Sequence, residues 1–424
     1  MAAETDPTWK PTRASTVSWV LYDLANTTFA LGVGSRYFGL WLIEERGGSD
    51  WYLSAATITA MVAVIILGPW VGALTDHRGT RRPYLIASTL VCVGATALLA
   101  TWGVIPSLVF YAIGTVGFHT GAVVYDALLP DVSTPRTRGS ISGIGVAVGY
   151  AGSALALGIG AYLLPRAGYA AVFRGLAVAF VVFALPAFLW IRERPRPRQT
   201  GRAPSLATSP ALMVRAWREA SRYEGVVRFL IGRFLYTDAI NTVFLFNAVF
   251  AKLELGFSNA QTDRLALVGI VAAGLGAAIA GRFVDALGPK RVLNVALYFQ
   301  MAALAAAITA ALGDAMALGW LVGVFGGAGI GAAWASDRVF MTRISPPHML
   351  GEFFGLYGAV GRFATVFGPL VWALATDGLG WGRTAALALL GIFIVAARLV
   401  LQGVSDTVRP DPPRESSPGE EVAR

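Results

Sequence analysis

The chain has 424 residues, of which 55% are hydrophobic and only 14% charged, and its mean hydropathy is +0.60. Soluble domains carry about 25% charged residues, so this composition excludes a water-covered globule and predicts a membrane protein. A net charge of +9 would suit nucleic acid in a soluble chain, but in a membrane protein the placement of positive charge is what informs, and no nucleic-acid partner is expected. One cysteine, Cys92, and three scattered histidines, His77, His119 and His348, exclude a disulfide framework and a Cys/His metal cluster, and no cofactor is expected.

In chain order, residues 1–16 are polar with Pro7 and Pro11 and lack the apolar core of a signal peptide. Stretches of about 20 apolar residues then predict twelve transmembrane helices, near 17–43, 52–74, 84–103, 106–130, 141–164, 169–191, 226–251, 264–286, 292–312, 316–341, 354–376 and 384–402. The fold class is therefore an all-α membrane protein with two six-helix bundles, 17–191 and 226–402. They are joined by a linker, 192–225, rich in arginine and proline, whose part from Ser209 to Glu224 reads as an amphipathic surface helix. The tail, 403–424, has four prolines and mixed charge and reads as disordered. An even count puts both termini on one side. Only Arg46, Arg166, Lys252, Arg264 and Arg383 fall in loops of the opposite side, so both ends are expected in the cytoplasm, with the chain in the plasma (inner) membrane.

The two halves repeat each other. Asp23, Asn26, Thr27 and Phe29 match Asp238, Asn241, Thr242 and Phe244 at an offset of 215. The loop Gly72 to Arg82 matches Gly281 to Arg291 at 209, Asp126 matches Asp337 at 211, and Gly143 to Gly149 matches Gly355 to Gly361 at 212. Matched elements run in the same direction, the parallel six-plus-six arrangement of a transporter built from two related halves.

The loop GALTDHRGTRR (Gly72 to Arg82) resembles the signature of the major facilitator superfamily between helices 2 and 3. In it Gly72 permits close helix approach, Asp76 sits near a helix end, Gly79 permits a tight turn, and Arg81 and Arg82 stay on the cytoplasmic side. Its counterpart supplies Asp285, Gly288, Lys290 and Arg291. Facing each other, the two loops are expected to latch the halves by ion pairs; a simple topology anchor is the alternative. YDLANTTF (Tyr22 to Phe29), Val124 to Ser153, and Ser336 to Leu370 with its EFFGLY segment further resemble the unknown-major-facilitator family, which includes autophagy-related vacuolar amino acid effluxers. The resemblance implies a transporter of amino acids or similar metabolites, and this chain departs from the family at Asp126, Trp334 and Asp337.

Ionisable groups deep in a membrane are functional candidates by default. Asp23 with Asn26 and Thr27, and Asp238 with Asn241 and Thr242, each share a helix face that lines a solute or proton path or else joins helices by hydrogen bonds. Arg362, deep in helix 11, is expected to pair with an acid such as Asp238 or to receive an anionic substrate group. Asp126 is placed with the path, and Asp337 and Arg338 with the cytoplasmic gate. No GxxxxGK[ST] loop supports an ATP-driven pump, and the glycine run Gly326 to Ala332 lies within an apolar span. The expectation is a monomeric secondary transporter, surrounded by lipid, that moves a small polar solute by alternating access and is coupled to protons through Asp23 or Asp238. A uniporter, a drug effluxer and a non-transporting sensor remain as alternatives.

Overall fold

The Thr12 hydroxyl accepts a hydrogen bond from the Ser15 amide at 3.2 Å and starts the first helix at Arg13, four residues before the apolar stretch begins, because a cap sets a helix start more sharply than hydropathy does. The structure, a computed structural model, describes residues 9–406 except 49, 197, 199–200, 202, 207–208, 224, 314 and 366. Span 1 is Arg13–Phe29, continued through the π-helical Ala30–Tyr37, the short Phe38–Leu40 and the π-helical Trp41–Glu45. Span 2 is Asp50–Arg78, span 3 Arg82–Ala97 and span 4 Val104–Ala127. Spans 5 and 6 are two helices within Arg138–Trp190 that meet at Gly168, whose non-helical φ of 72° breaks the helix between them.

Helix Ser209–Ala220 lies in the linker and ends before the turn residues 221–223, while Glu224, the end of its expected range, lies outside the described residues. Span 7 is Val226–Leu253, span 8 Asn259–Leu287 and span 9 Pro289–Leu312. Span 10 joins Met316–Leu321, the π-helical Val322–Gly326 and Gly327–Ile344. Span 11 is Leu350–Phe363 followed by Phe367–Ala373 and the π-helical Leu374–Gly378, and span 12 is Gly382–Gln402. Nine of the described helices are long and apolar enough to cross a membrane, and one of them covers spans 5 and 6. Span 1, broken into shorter pieces, and span 3, sixteen residues long, complete the twelve.

Residues 9–12, the linker and residues 403–406 lie on one face, here called the terminal face. Trp9 donates to the Asp131 carbonyl at 3.1 Å, and Lys290 donates through Nζ to the carbonyls of Gln402 and Val404 at 2.8 and 2.5 Å. The expected tail thus begins later than residue 403: Val404 is buried and Asp406 pairs with Arg343 at 3.3 Å, while 407–424, like 1–8, lie outside the described residues. The linker helix packs on spans 2 and 11, where Tyr223 stacks edge-on to Phe353 and Trp70 donates to the Pro204 carbonyl at 3.0 Å.

Candidate functional site

The halves meet along two crossings on the terminal side. In one, Gly68 and Gly72 of span 2 lie against Gly355 and Gly351 of span 11; in the other, Ala277 and Gly281 of span 8 lie against Gly143 and Gly139 of span 5. A methyl group at Gly72 or Gly143 would run into the facing backbone, so glycine here is a condition of contact. At the end of each crossing an acid meets a helix start. Asp76 accepts from the Glu352 amide at 2.9 Å, in the first turn of Leu350–Phe363, and from Arg81 Nη2 at 2.8 Å. Asp285 accepts from the amides of Gly139 and Ser140 at 2.6 and 2.7 Å and from the Ser140 hydroxyl at 2.5 Å. A carboxylate on exposed N–H groups at the positive end of a helix dipole is favoured by both charge and hydrogen bonding. The two loops therefore do not latch to each other by ion pairs; each acid reaches across to the opposite half's backbone.

The remaining loop residues support these acids from within their own half. Gly79 and Gly288 turn at φ of 68° and 89°. Glu193 accepts from the amides of Arg81 and Arg82 at 2.6 and 2.7 Å, and Asp406 from that of Lys290 at 3.4 Å. Arg81 also donates to the Ala127 carbonyl at 2.9 Å, and Arg196 lies 2.6 Å from Asp131. Burial works against the Arg196 charge, but the Asp131 and Glu193 carboxylates outweigh it and hold its pKa above the usual guanidinium range. Arg81, buried and near Arg196, is held below that range. Arg291 is exposed.

Beyond the crossings a cavity of about 350 Å³ opens between the halves. Its floor is Arg338 of span 10, which lies 3.2 Å from Asp23 of span 1 and 3.7 Å from Asp126 of span 4. Arg338 also donates to the hydroxyl and carbonyl of Ser142 in span 5 at 2.6 and 2.7 Å, and its guanidinium stands 4.8 Å from the centre of the Trp19 ring. One cation of the second half is thus held by three spans of the first. Arg233 of span 7 lies 3.4 Å from Asp337 and 3.5 Å from the Tyr357 ring centre, and Tyr236 donates to Asp337 at 3.3 Å. On the wall, Arg362 of span 11 donates through Nη2 to His119 Nδ1 of span 4 at 2.6 Å.

Of the residues singled out in the sequence, Asp23, Thr27, Asp126 and Arg362 line the cavity, and Asp337 and Arg338, expected in the gate, line it too. Asn26 is buried off the lining, and Asn241 is likewise absent from it. Asp238 and Thr242 are buried against the second piece of span 11, Asp238 beside the amides of Phe367 and Gly368. The proposed Arg362–Asp238 pair does not form, because span 7 turns Asp238 to the Phe367–Gly368 backbone and presents Arg233 to the cavity instead. Arg233, His119, Ser142 and Tyr357 escaped the sequence reading; the first two are intramembrane ionisable residues, which is the signal that finds them.

A family model described as "Vacuole effluxer Atg22 like" matches residues 132–406. The MFS-type transporter YxiO of Bacillus subtilis is 25% identical over 89% of this chain and 92% of its own length. Autophagy-related protein 22-1 of Aspergillus niger is 24% identical over 62% of this chain, which matches 46% of that longer protein. Two solved structures share the fold: the proton:xylose symporter XylE, with a TM-score of 0.71 at 14% identity over 92% of this chain and 94% of that one, and the human organic anion transporter MFSD10, with 0.71 at 19% over 93% and 100%. The chain is a multi-pass membrane transporter rather than an enzyme, and it belongs to the Atg22-like vacuole effluxer family of the major facilitator superfamily.

Proposed function

We propose that the chain is a secondary transporter that carries a small zwitterionic solute of the amino acid class by alternating access, coupled to protons, with its terminal face in the cytoplasm and closed in this structure. One observation carries the reading. The cavity holds three acids and three arginines, and Arg338 and Arg233 stand at ion-pair distance from all three acids, whereas Arg362 has no acid within that distance among the described residues. A guanidinium without an acid of its own in such a cavity is matched by a carboxylate supplied from outside. Asp126, held by a single contact of 3.7 Å, is the acid most available to a substrate ammonium group. The cavity volume lies at the small end of ligand sites, in keeping with a metabolite. The matched family's name points to efflux, and the bacterial relative, an MFS-type transporter, spans nearly the whole chain.

Counterflow in proteoliposomes tests this. Vesicles loaded with one neutral amino acid are expected to accumulate a labelled one, and vesicles loaded with a sugar are not. Arg362→Gln should weaken binding by about 2–5 kcal/mol and Arg362→Lys by less, since the point charge survives without the fork. Absence of exchange for every zwitterion tried would overturn the reading.

A further inference from the structure

We propose that His119 is the proton site of this transporter, and that a proton on His119 and a carboxylate on Arg362 occupy the cavity together. The inference rests on the reading of Arg362 as a carboxylate receptor and adds the group that couples it to protons. A guanidinium has only donors, so at 2.6 Å from Arg362 Nη2 the His119 Nδ1 atom must accept. The ring is then neutral with its hydrogen on Nε2. A second proton would have to go on Nδ1, setting N–H against N–H and cation against cation at the same contact. The contact therefore exists only while His119 is unprotonated.

A carboxylate changes that balance. Its two oxygens can accept from Arg362 and from a protonated Nδ1 at once, replacing a repulsion by a bridge. Arg362 Nε, on the same edge of the guanidinium as Nη2, is buried with no hydrogen-bond partner, so the two donors of a bidentate fork are present and one is unused. Without the extra proton, an incoming carboxylate competes with His119 for Nη2; with it, both ligands gain. Each then raises the affinity of the other by one common factor.

The other charged and titratable groups of the cavity are already engaged. Asp23 and Asp126 lie at Arg338, Asp337 at Arg233 and Tyr236, and Tyr357 under Arg233; Tyr150 of span 5 also lines the cavity. Arg362 is the charge that bears on His119. The pair also has a mechanical meaning, because span 4 belongs to the first half and span 11 to the second, so protonating His119 without an anion breaks a contact between the halves.

The chain has only three histidines, His77, His119 and His348, so NMR of isotope-labelled imidazole nitrogens in the detergent-solubilised full chain can follow them singly, with His119→Asn identifying the resonance. In chloride buffer the His119 ring should stay neutral from about pH 8 to 5.5, the range in which a free histidine titrates. Adding sodium acetate should convert it to the doubly protonated form within that range. Acetate affinity should rise as pH falls, by up to about tenfold per unit, with proton uptake in weakly buffered samples approaching one per site. His119→Asn keeps an acceptor for Arg362 but cannot titrate: acetate binding should lose its pH dependence and its proton uptake, and gradient-driven accumulation should fall further than counterflow does. Arg362→Gln should let the ring titrate without acetate. A ring already protonated in chloride, or proton uptake unchanged in His119→Asn, overturns the proposal. If neither acetate nor glycine alters the ring while amino acid counterflow proceeds, His119 is not the proton site and the transporter reading stands. If the ring responds but counterflow fails, the substrate reading falls instead.

Discussion

The crossing of spans 2 and 11 and the crossing of spans 8 and 5 are one geometry built twice, with opposite chemistry at a single matched position. Glu352 corresponds to Ser140 at the repeat offset of 212. The Ser140 hydroxyl donates to Asp285, so that acid receives three hydrogen bonds and meets no second carboxylate, with the Arg138 charge nearby. Glu352 instead brings a buried carboxylate, with Oε1 lacking a partner, next to Asp76. The imbalance is met by Arg81, which lies 2.8 Å from Asp76, and by Arg215 of the linker helix, whose charge also bears on Glu352. On the other side the residue matching Arg81 is Lys290, and it turns away to the carbonyls of Gln402, at the end of span 12, and Val404. A duplicated scaffold fixes where the halves touch; substitutions within it decide whether a contact holds by charge or by neutral hydrogen bonding.

This contrast can be broken or sharpened by substitution. Arg81→Gln leaves buried Asp76, beside Glu352, without its near cation and should cost about 3–5 kcal/mol, read as a lower melting temperature in detergent. Lys290→Gln should cost no more than about 1 kcal/mol, and equal costs would mean that the crossings do not differ in charge. Asp285→Asn should weaken closure of the terminal face by about 1–3 kcal/mol. Reduced cross-linking between cysteines placed at the terminal ends of spans 5 and 8 would register it, and cross-linking at the parent level would show that the acid only anchors topology. Ser140→Ala, which removes a single neutral donor, should cost about 0.5–1.5 kcal/mol in the same assay. The smallest effect has the opposite sign: Glu352→Gln should favour closure by up to about 1 kcal/mol, because one of two adjacent carboxylates is gone. That gain should vanish when Asp76→Asn is present as well, as expected for residues in contact.

The twelve spans were legible in the sequence because hydropathy over twenty residues averages away local detail, whereas caps and breaks rest on single residues such as Thr12 and Gly168. Asp76 and Asp285 were legible as the acids of two matched loops, but their partners were not. A backbone amide at a helix start has no side-chain signature, so Asp76 and Asp285 were read as facing other loops. The repeat also misled. Asp238 mirrors Asp23, yet Asp23 meets Arg338 across the halves and Asp238 faces the backbone of span 11, because repeated sequence constrains the fold of each half more tightly than the environment of each side chain. His119 was set aside as one of three scattered histidines. Its importance comes from Arg362, which lies 243 positions along the chain and approaches it only once spans 4 and 11 are packed.

The π-helical turns of spans 1, 10 and 11 all lie on the side away from the glycine crossings. A π turn holds one residue more than the hydrogen-bonding frame of an α-helix needs, which makes each of them the footprint of a single inserted residue. A residue adds about 100° of turn to an α-helix, but deleting one within Val322–Gly326 would only close the wide turn to an α turn and leave Met316–Leu321 near its present orientation against the rest of span 10. The same deletion within Gly327–Ile344 would turn Trp334, Asp337 and Arg338 by that angle against one end of the span or the other. Tolerance of length change is therefore confined to the far ends of these spans, and the frame that carries Arg338 must be kept residue for residue.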